Sequence, residues 1–172
     1  MEKPFEIIES DGFYCVKCKK SSVAVITYRL GEDGLLEGVG LVTEKNPFFR
    51  DSVYKGLVMG GVEREDKSLL MRAKQETMEE AGYEVNDDLR WKYIGEMNTG
   101  KVVQNPVYCF SVDLTGLDGS APRGDGTENE KGISFEFIPL NQAFNIPDSL
   151  YQACLFKLFA NLYKTDIQDG IS

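Results

Sequence analysis

One stretch constrains the architecture of this chain more than any other. From Asp66 to Ala81 the pattern is that of an amphipathic helix, and short β-branched or alternating segments lie on both sides of it. Asp66 is placed to cap its start, and Gly82 to supply the left-handed residue at its end. Upstream, Phe13 to Cys18, Ser22 to Tyr28 and Leu36 to Thr43 read as strands separated by the turns KKSS and GEDG. A connector, Lys45 to Lys55, leads into an apolar, glycine-rich stretch from Gly56 to Val62, where paired glycines let the backbone approach something closely. Downstream, Trp91 to Glu96, Val107 to Leu114 and Ile133 to Ile138 read as strands, the last preceded by a Gly- and Asp-rich loop, Leu117 to Lys131. A second helix follows Pro147, with Leu150, Cys154, Leu158 and Leu162 recurring every fourth residue. With no repeat and no linker, this order predicts a single mixed α/β or α+β domain over 1–172, with short mobile ends at about 1–5 and 165–172.

Composition narrows the chemistry. The chain has 28 acidic and 19 basic residues, a net charge of −9 and no histidine. Without histidine, neither a Ser-His-Asp triad, a Cys-His dyad nor a His-ligated zinc site can be built from it. The acidic balance argues against duplex nucleic acid, which is bound by displacing counterions with Lys and Arg. No basic leader precedes an apolar run and no ~18-residue apolar stretch occurs, so the expectation is a soluble cytoplasmic protein with no membrane partner. Four cysteines are too few for a secreted disulfide framework. The lone pair Cys15 and Cys18 has the spacing of a metal or redox motif, but FYCVKC alternates like a strand.

Within the central helix, Glu76, Glu79 and Glu80 stand at i, i+3 and i+4 and share a face. At about 100° per residue they border the apolar stripe instead of opposing it. Three carboxylates within ~6 Å repel unless a cation neutralises them, and oxygen ligands on a helix favour Mg²⁺ or Mn²⁺. The same acids would also suit a solvated face paired with Lys67, Arg72 and Lys74, of which Arg72 precedes Glu76 by one turn.

The stretch GVEREDKSLLMRAKQETMEEAGY, Gly61 to Tyr83, resembles the Nudix box, G-x5-E-x7-R-E-U-x-E-E-x-G-U, where U is bulky and apolar. Gly61, Glu76, Glu79, Glu80, Gly82 and Tyr83 occupy the required positions. Lys67 stands in place of the first Glu, Gln75 in place of Arg, and Thr77 in an apolar position. Lys67 and Gln75 are expected to hydrogen-bond each other as a replacement for the missing Glu and Arg. The resemblance implies an α/β/α sandwich with a mixed sheet and a hydrolase of phosphoanhydrides. It also implies Glu76, Glu79 and Glu80 as ligands of Mg²⁺ or Mn²⁺, with a carbonyl of Gly60 or Gly61 added. Such ions neutralise a diphosphate and lower the pKa of bound water. Glu76 and Glu80 thus become catalytic candidates, and Glu130 or Glu128, in the later acidic loop, a further ligand or general base.

The same resemblance points to a small-molecule nucleotide substrate, ADP-ribose or a similar nucleotide sugar first. The Asn105-Pro106 step agrees with nucleoside-diphosphate-sugar hydrolases, whereas Thr99 stands where part of the family has a specificity proline. Phe48, Phe49 and Tyr54 are candidate base clamps or simple packing, and Arg50 a candidate for a phosphate or ribose. A catalytically weakened nucleotide-binding or regulatory module is the alternative, suggested by Lys67 and Gln75. The aromatic-rich C-terminal helix suits either a core or a homodimer interface.

Overall fold

The computed structural model describes residues 5–46, 50–63, 65–100, 103–124 and 132–163. Nine strands form one branched sheet: β1 Phe5–Ser10, β2 Phe13–Cys18, β3 Ser22–Leu30, β4 Leu36–Lys45, β5 Val53–Gly56, β6 Val58–Gly61, β7 Trp91–Gly100, β8 Val103–Asp113 and β9 Ser134–Ile138. The main path runs β1-β2-β8-β3-β4-β5, with β6 on β3, β7 on β8 and β9 on β4. β8 pairs in parallel with β2 and β3, and the remaining pairs are antiparallel, so the sheet is mixed as expected.

Helices cover both faces. On β3, Val23 and Val25 point to the cluster that buries Ala73 and Ala81 around the first helix, α1 Leu69–Glu76. Their neighbours Ala24 and Ile26 point to the opposite cluster, with Tyr151, Cys154, Leu155 and Leu158 of α3, Ser149–Leu162. A short helix, α2 Leu140–Ala143, joins that side through Ala143. Because β3 is buried on both faces, it reads as a continuous apolar run, not an alternating one. The result is the predicted α/β/α sandwich.

Local chemistry moves several boundaries. The central helix begins at Leu69, because Ser68 accepts from the Met71 N–H at 3.1 Å. Asp66 instead takes the Glu63 N–H at 2.6 Å and closes the turn before it. The expected connector ends in β5, the glycine-rich stretch from Gly56 to Val62 contains β6, and the Asn105-Pro106 step lies inside β8. Cys15 and Cys18 sit on β2 as free thiols, three apart on a strand and so on opposite faces. α3 supplies Tyr151, Cys154, Leu155 and Leu158 to the core. The predicted mobile end at about 165–172 lies outside the described residues, as do 1–4 at the other end.

Candidate active site

The site is built where α1 gives way to a wider π turn, Thr77–Ala81. Thr77 is fully buried, and its hydroxyl donates to the Ala73 carbonyl at 2.8 Å, a back-bond that satisfies a polar group in an apolar position. The turn ends at Gly82, with φ 77°, whose N–H reaches the carbonyls of Thr77 and Met78. A Cβ there would overlap the Ser120 carbonyl, since Ser120 N–H and Oγ both bond Gly82 O, at 2.9 and 3.1 Å. Next to it, the Arg123 and Gly124 N–H groups donate to the Glu79 carbonyl at 3.0 and 2.9 Å. The described end of the acidic loop is therefore strapped to the helix terminus. Single-turn π segments of this kind recur at functional sites, because they re-aim the side chains that follow.

The three helix acids have different surroundings. Glu76 is 3% exposed, paired with Arg72 one turn earlier, and pressed against Gly60, where a Cβ would overlap its carboxylate. Glu80 is 5% exposed and accepts the Met59 N–H at 2.9 Å. Glu79 is half-buried and accepts from Gln75 Nε2 at 2.9 Å. Gln75 is thus bonded to Glu79 and not to Lys67, which is exposed. The expected Lys67–Gln75 hydrogen bond does not form, because Gln75 and Glu79 are one helical turn apart on the same face. Among the described residues no three His, Cys, Asp or Glu side chains gather as a metal cage. Glu76 and Glu80 turn toward β6, and Glu79 turns along the helix.

Glu80 opens onto a cavity of about 240 Å³ lined by Val42, Glu44, Asn46, Tyr54, Leu57 and Met59. Tyr54 is half-buried on β5, and its hydroxyl lies 3.9 Å from the Met59 sulfur. Burial, and then the carboxylates of Asp148, Glu44 and Glu80, push its phenol far above the ordinary tyrosine range. Just upstream, the Asn46 N–H bonds the Ser52 carbonyl at 2.9 Å, and Asp51 and Ser52 both have positive φ, 62° and 54°.

Glu76 and Glu80 are therefore brought against β6, at Gly60 and Met59, Tyr54 shares the cavity of Glu80, and Glu79 stays with Gln75 on the helix. Gly61 has open space beside it, in contrast to Gly60. Glu128, Glu130, Phe48 and Phe49 lie outside the described residues, and of Arg50 only the backbone, in the turn Arg50–Ser52, is described. Sequence reading missed Glu44 and Asn46. Their period-two spacing with Val42, along β4 and the residue just past its end, is the signal that places them on one side.

No protein-family profile and no curated relative matches the sequence. Solved structures do match in shape. An ADP compounds hydrolase aligns with TM-score 0.61 at 15% identity, over 91% of this chain and 82% of that one. The Nudix domain of Shewanella oneidensis NrtR, solved with ADP ribose, aligns with TM-score 0.60 at 10% identity over 82% and 86%. A C. elegans Ap4A hydrolase aligns with TM-score 0.60 at 16% identity over 84% and 98%. The chain has the Nudix fold. No helix among the described residues is long and apolar enough to cross a membrane.

Proposed function

We propose that the protein is a Mg²⁺- or Mn²⁺-dependent pyrophosphohydrolase that cleaves the phosphoanhydride of a nucleoside diphosphate linked to another moiety, with ADP-ribose or a similar nucleotide sugar the leading substrate. The observation that carries this reading is the burial of Glu76 and Glu80 one helical turn apart against β6 in a Nudix fold, with Gly60 lacking a side chain so that the first fits and the second opening onto a cleft. Glu76, the more deeply buried of the two, is paired with Arg72, and a divalent ion would bring further positive charge to both acids.

The donor set fits a hard divalent ion: the candidates are carboxylate and backbone oxygens, with no imidazole in the chain and no thiol in the set. Glu76 and Glu80, with Glu79 and a carbonyl of Gly60 or Gly61, would hold it. Once bound, such an ion neutralises diphosphate charge and supplies hydroxide near neutral pH. The chain does the rest. Arg72 fixes the rotamer of Glu76, and the Met59 N–H fixes that of Glu80, so both carboxylates are pre-aimed before substrate arrives. Glu130, with Glu128 as its alternate, is the proposed general base, and the strap from Ser120 to Gly124 ties the loop leading to them against the helix. Phe48, Phe49, Arg50 and Tyr54 are proposed to contact the substrate. ADP-ribose is favoured further by the likeness in shape to an ADP compounds hydrolase and to a Nudix domain solved with ADP ribose.

A regulatory module that binds without turnover is the second reading, favoured by the Arg72–Glu76 pair, which already half-neutralises the site. The deciding experiment follows monophosphate release from ADP-ribose, nucleotide sugars, dinucleotides and nucleoside triphosphates with each metal, in wild type and Glu80→Gln. Metal-dependent turnover that Glu80→Gln abolishes supports the hydrolase. Binding with no turnover of any substrate gives the place to the module.

A further inference from the structure

Along the α1 side of β3 the row Val23, Val25 and Thr27 ends in Arg29, a half-buried cation that shares that face by the period of two. Its guanidinium lies over the Phe137 ring, 4.1 Å from the centroid, and 5.8 Å from that of Tyr83. One nitrogen, Nη2, donates to the Tyr83 hydroxyl at 2.6 Å and to the Leu117 carbonyl at 3.3 Å. Nε is buried with no acceptor, and among the described residues no carboxylate pairs with this arginine. The rings of Tyr83, Phe135 and Phe137 meet one another edge to face, with centroids 5.1 to 6.2 Å apart.

A cation with an orphan N–H is a costly way to fill an apolar corner, even with aromatic faces to offset part of the cost. What the guanidinium adds over a hydrocarbon side chain is direction: it bonds two segments at once. Tyr83 is the first residue past Gly82, where the π turn ends. Leu117 opens the loop whose later residues follow that turn. Gly119 presses on the Tyr83 ring, so that a Cβ would lie 2.5 Å from it, Ser120 holds the Gly82 carbonyl, and Arg123 and Gly124 hold that of Glu79. We propose that Arg29 is a positioning residue of the carboxylate site. From the end of β3 away from β6 it pins Tyr83 and Leu117 together, and through them it holds the π turn that aims Glu79 and Glu80. This role deepens the proposed function and rests on it for its chemistry, while the coupling rests on the hydrogen bonds alone.

Tyr83→Phe deletes only the hydroxyl, Arg29→Met removes the guanidinium, and Arg29→Lys keeps the charge over Phe137 but not the fork. Ile26→Val, on the opposite face of the same strand, is the control for lost core packing. Amide exchange, followed without metal, is expected to quicken about tenfold at Ser120, Arg123 and Gly124 in Tyr83→Phe and Arg29→Met, and to stay unchanged there in Ile26→Val. The Mn²⁺ dissociation constant, from calorimetric titration without substrate, is expected to rise about tenfold in Arg29→Met and about threefold in Arg29→Lys, as when a partner behind metal ligands is lost. A lower folded fraction alone would reduce the number of sites and not their affinity. The double variant Arg29→Met with Tyr83→Phe should bind no more weakly than Arg29→Met, since both changes cut one chain of contacts. Unchanged exchange at the three amides, an unchanged Mn²⁺ constant in Arg29→Met, an equal rise in Ile26→Val, or fully additive losses in the double variant each overturns the assignment. If ADP-ribose turns over but Arg29→Met leaves exchange and affinity unmoved, the positioning role falls and the hydrolase stands. If wild type takes up no Mn²⁺ and turns nothing over, yet the amides loosen as stated, the hydrolase falls and Arg29 keeps its hold on the turn.

Discussion

The Met59 N–H donates to the Glu80 carboxylate at 2.9 Å, so a strand and the π turn that follows α1 are joined through a side chain that also faces the cleft. Structure and chemistry therefore depend on Glu80 in separable ways. Glu80→Gln keeps an acceptor for Met59 and should cost little stability while removing metal-dependent turnover by at least about 100-fold. Glu80→Ala orphans a part-buried N–H and should cost a further ~1 kcal/mol in urea unfolding. Equal stability of the two variants would contradict the assigned bond.

Arg72 and Glu76 form a pair that is largely withdrawn from water, with side chains 16% and 4% exposed. Removing one partner strands the other, so Arg72→Met should destabilise the metal-free protein by about 3 kcal/mol. A divalent ion would then meet one positive charge fewer at Glu76. Mn²⁺ should raise the melting temperature of Arg72→Met more than that of wild type, by mass action on the folded state. An equal rise in both would place the ion elsewhere.

Gly60 carries the carboxylate of Glu76 against its backbone. Gly60→Ala has nowhere to put its methyl unless Glu76 swings out, whereas Gly61→Ala meets open space. Turnover should fall steeply in the first and stay within a few-fold of wild type in the second, read as kcat/KM on the substrate that wild type prefers.

Tyr28 is pushed up to about 12 by burial and then by the Asp113 carboxylate, and burial also raises Tyr54 and Tyr151. Above pH 10 the unfolded chain ionises these phenols first, so the native state binds more protons and stability falls as pH rises from about 10 to about 12. Below pH 10 the contribution is fully present. Tyr28→Phe should flatten part of that alkaline decline, measured by unfolding at stepped pH.

Much of this molecule was legible from pattern. β3, the helix terminus at Gly82 and the C-terminal helix declare themselves through apolar runs, glycine and fourfold recurrence. β1 was silent because all six of its residues are exposed, leaving no buried face to impose a period. The helix start was misplaced because Asp66 and Ser68 are both capable caps, and only the turn at Glu63 decides which one serves. The acids of the site announced themselves by spacing, but the separate fates of Glu76, Glu79 and Glu80 depend on Gly60, Gln75 and Met59. The cleft joins Glu44, Tyr54 and Asp148, which no local period connects.

The strap that pins Gly124 to Glu79 has one more effect. Ser134, at the far end of the acidic loop, is paired with Thr43 on β4, so both borders of the span from 125 to 131 are held by rigid elements. The cost of closing a loop grows only slowly with its length, roughly 0.6 kcal/mol per doubling. Insertions between Gly124 and Gly132 would thus be absorbed locally, and the helix end would not register them. That makes the segment a cassette: its contents can be exchanged while the carboxylate helix keeps its place.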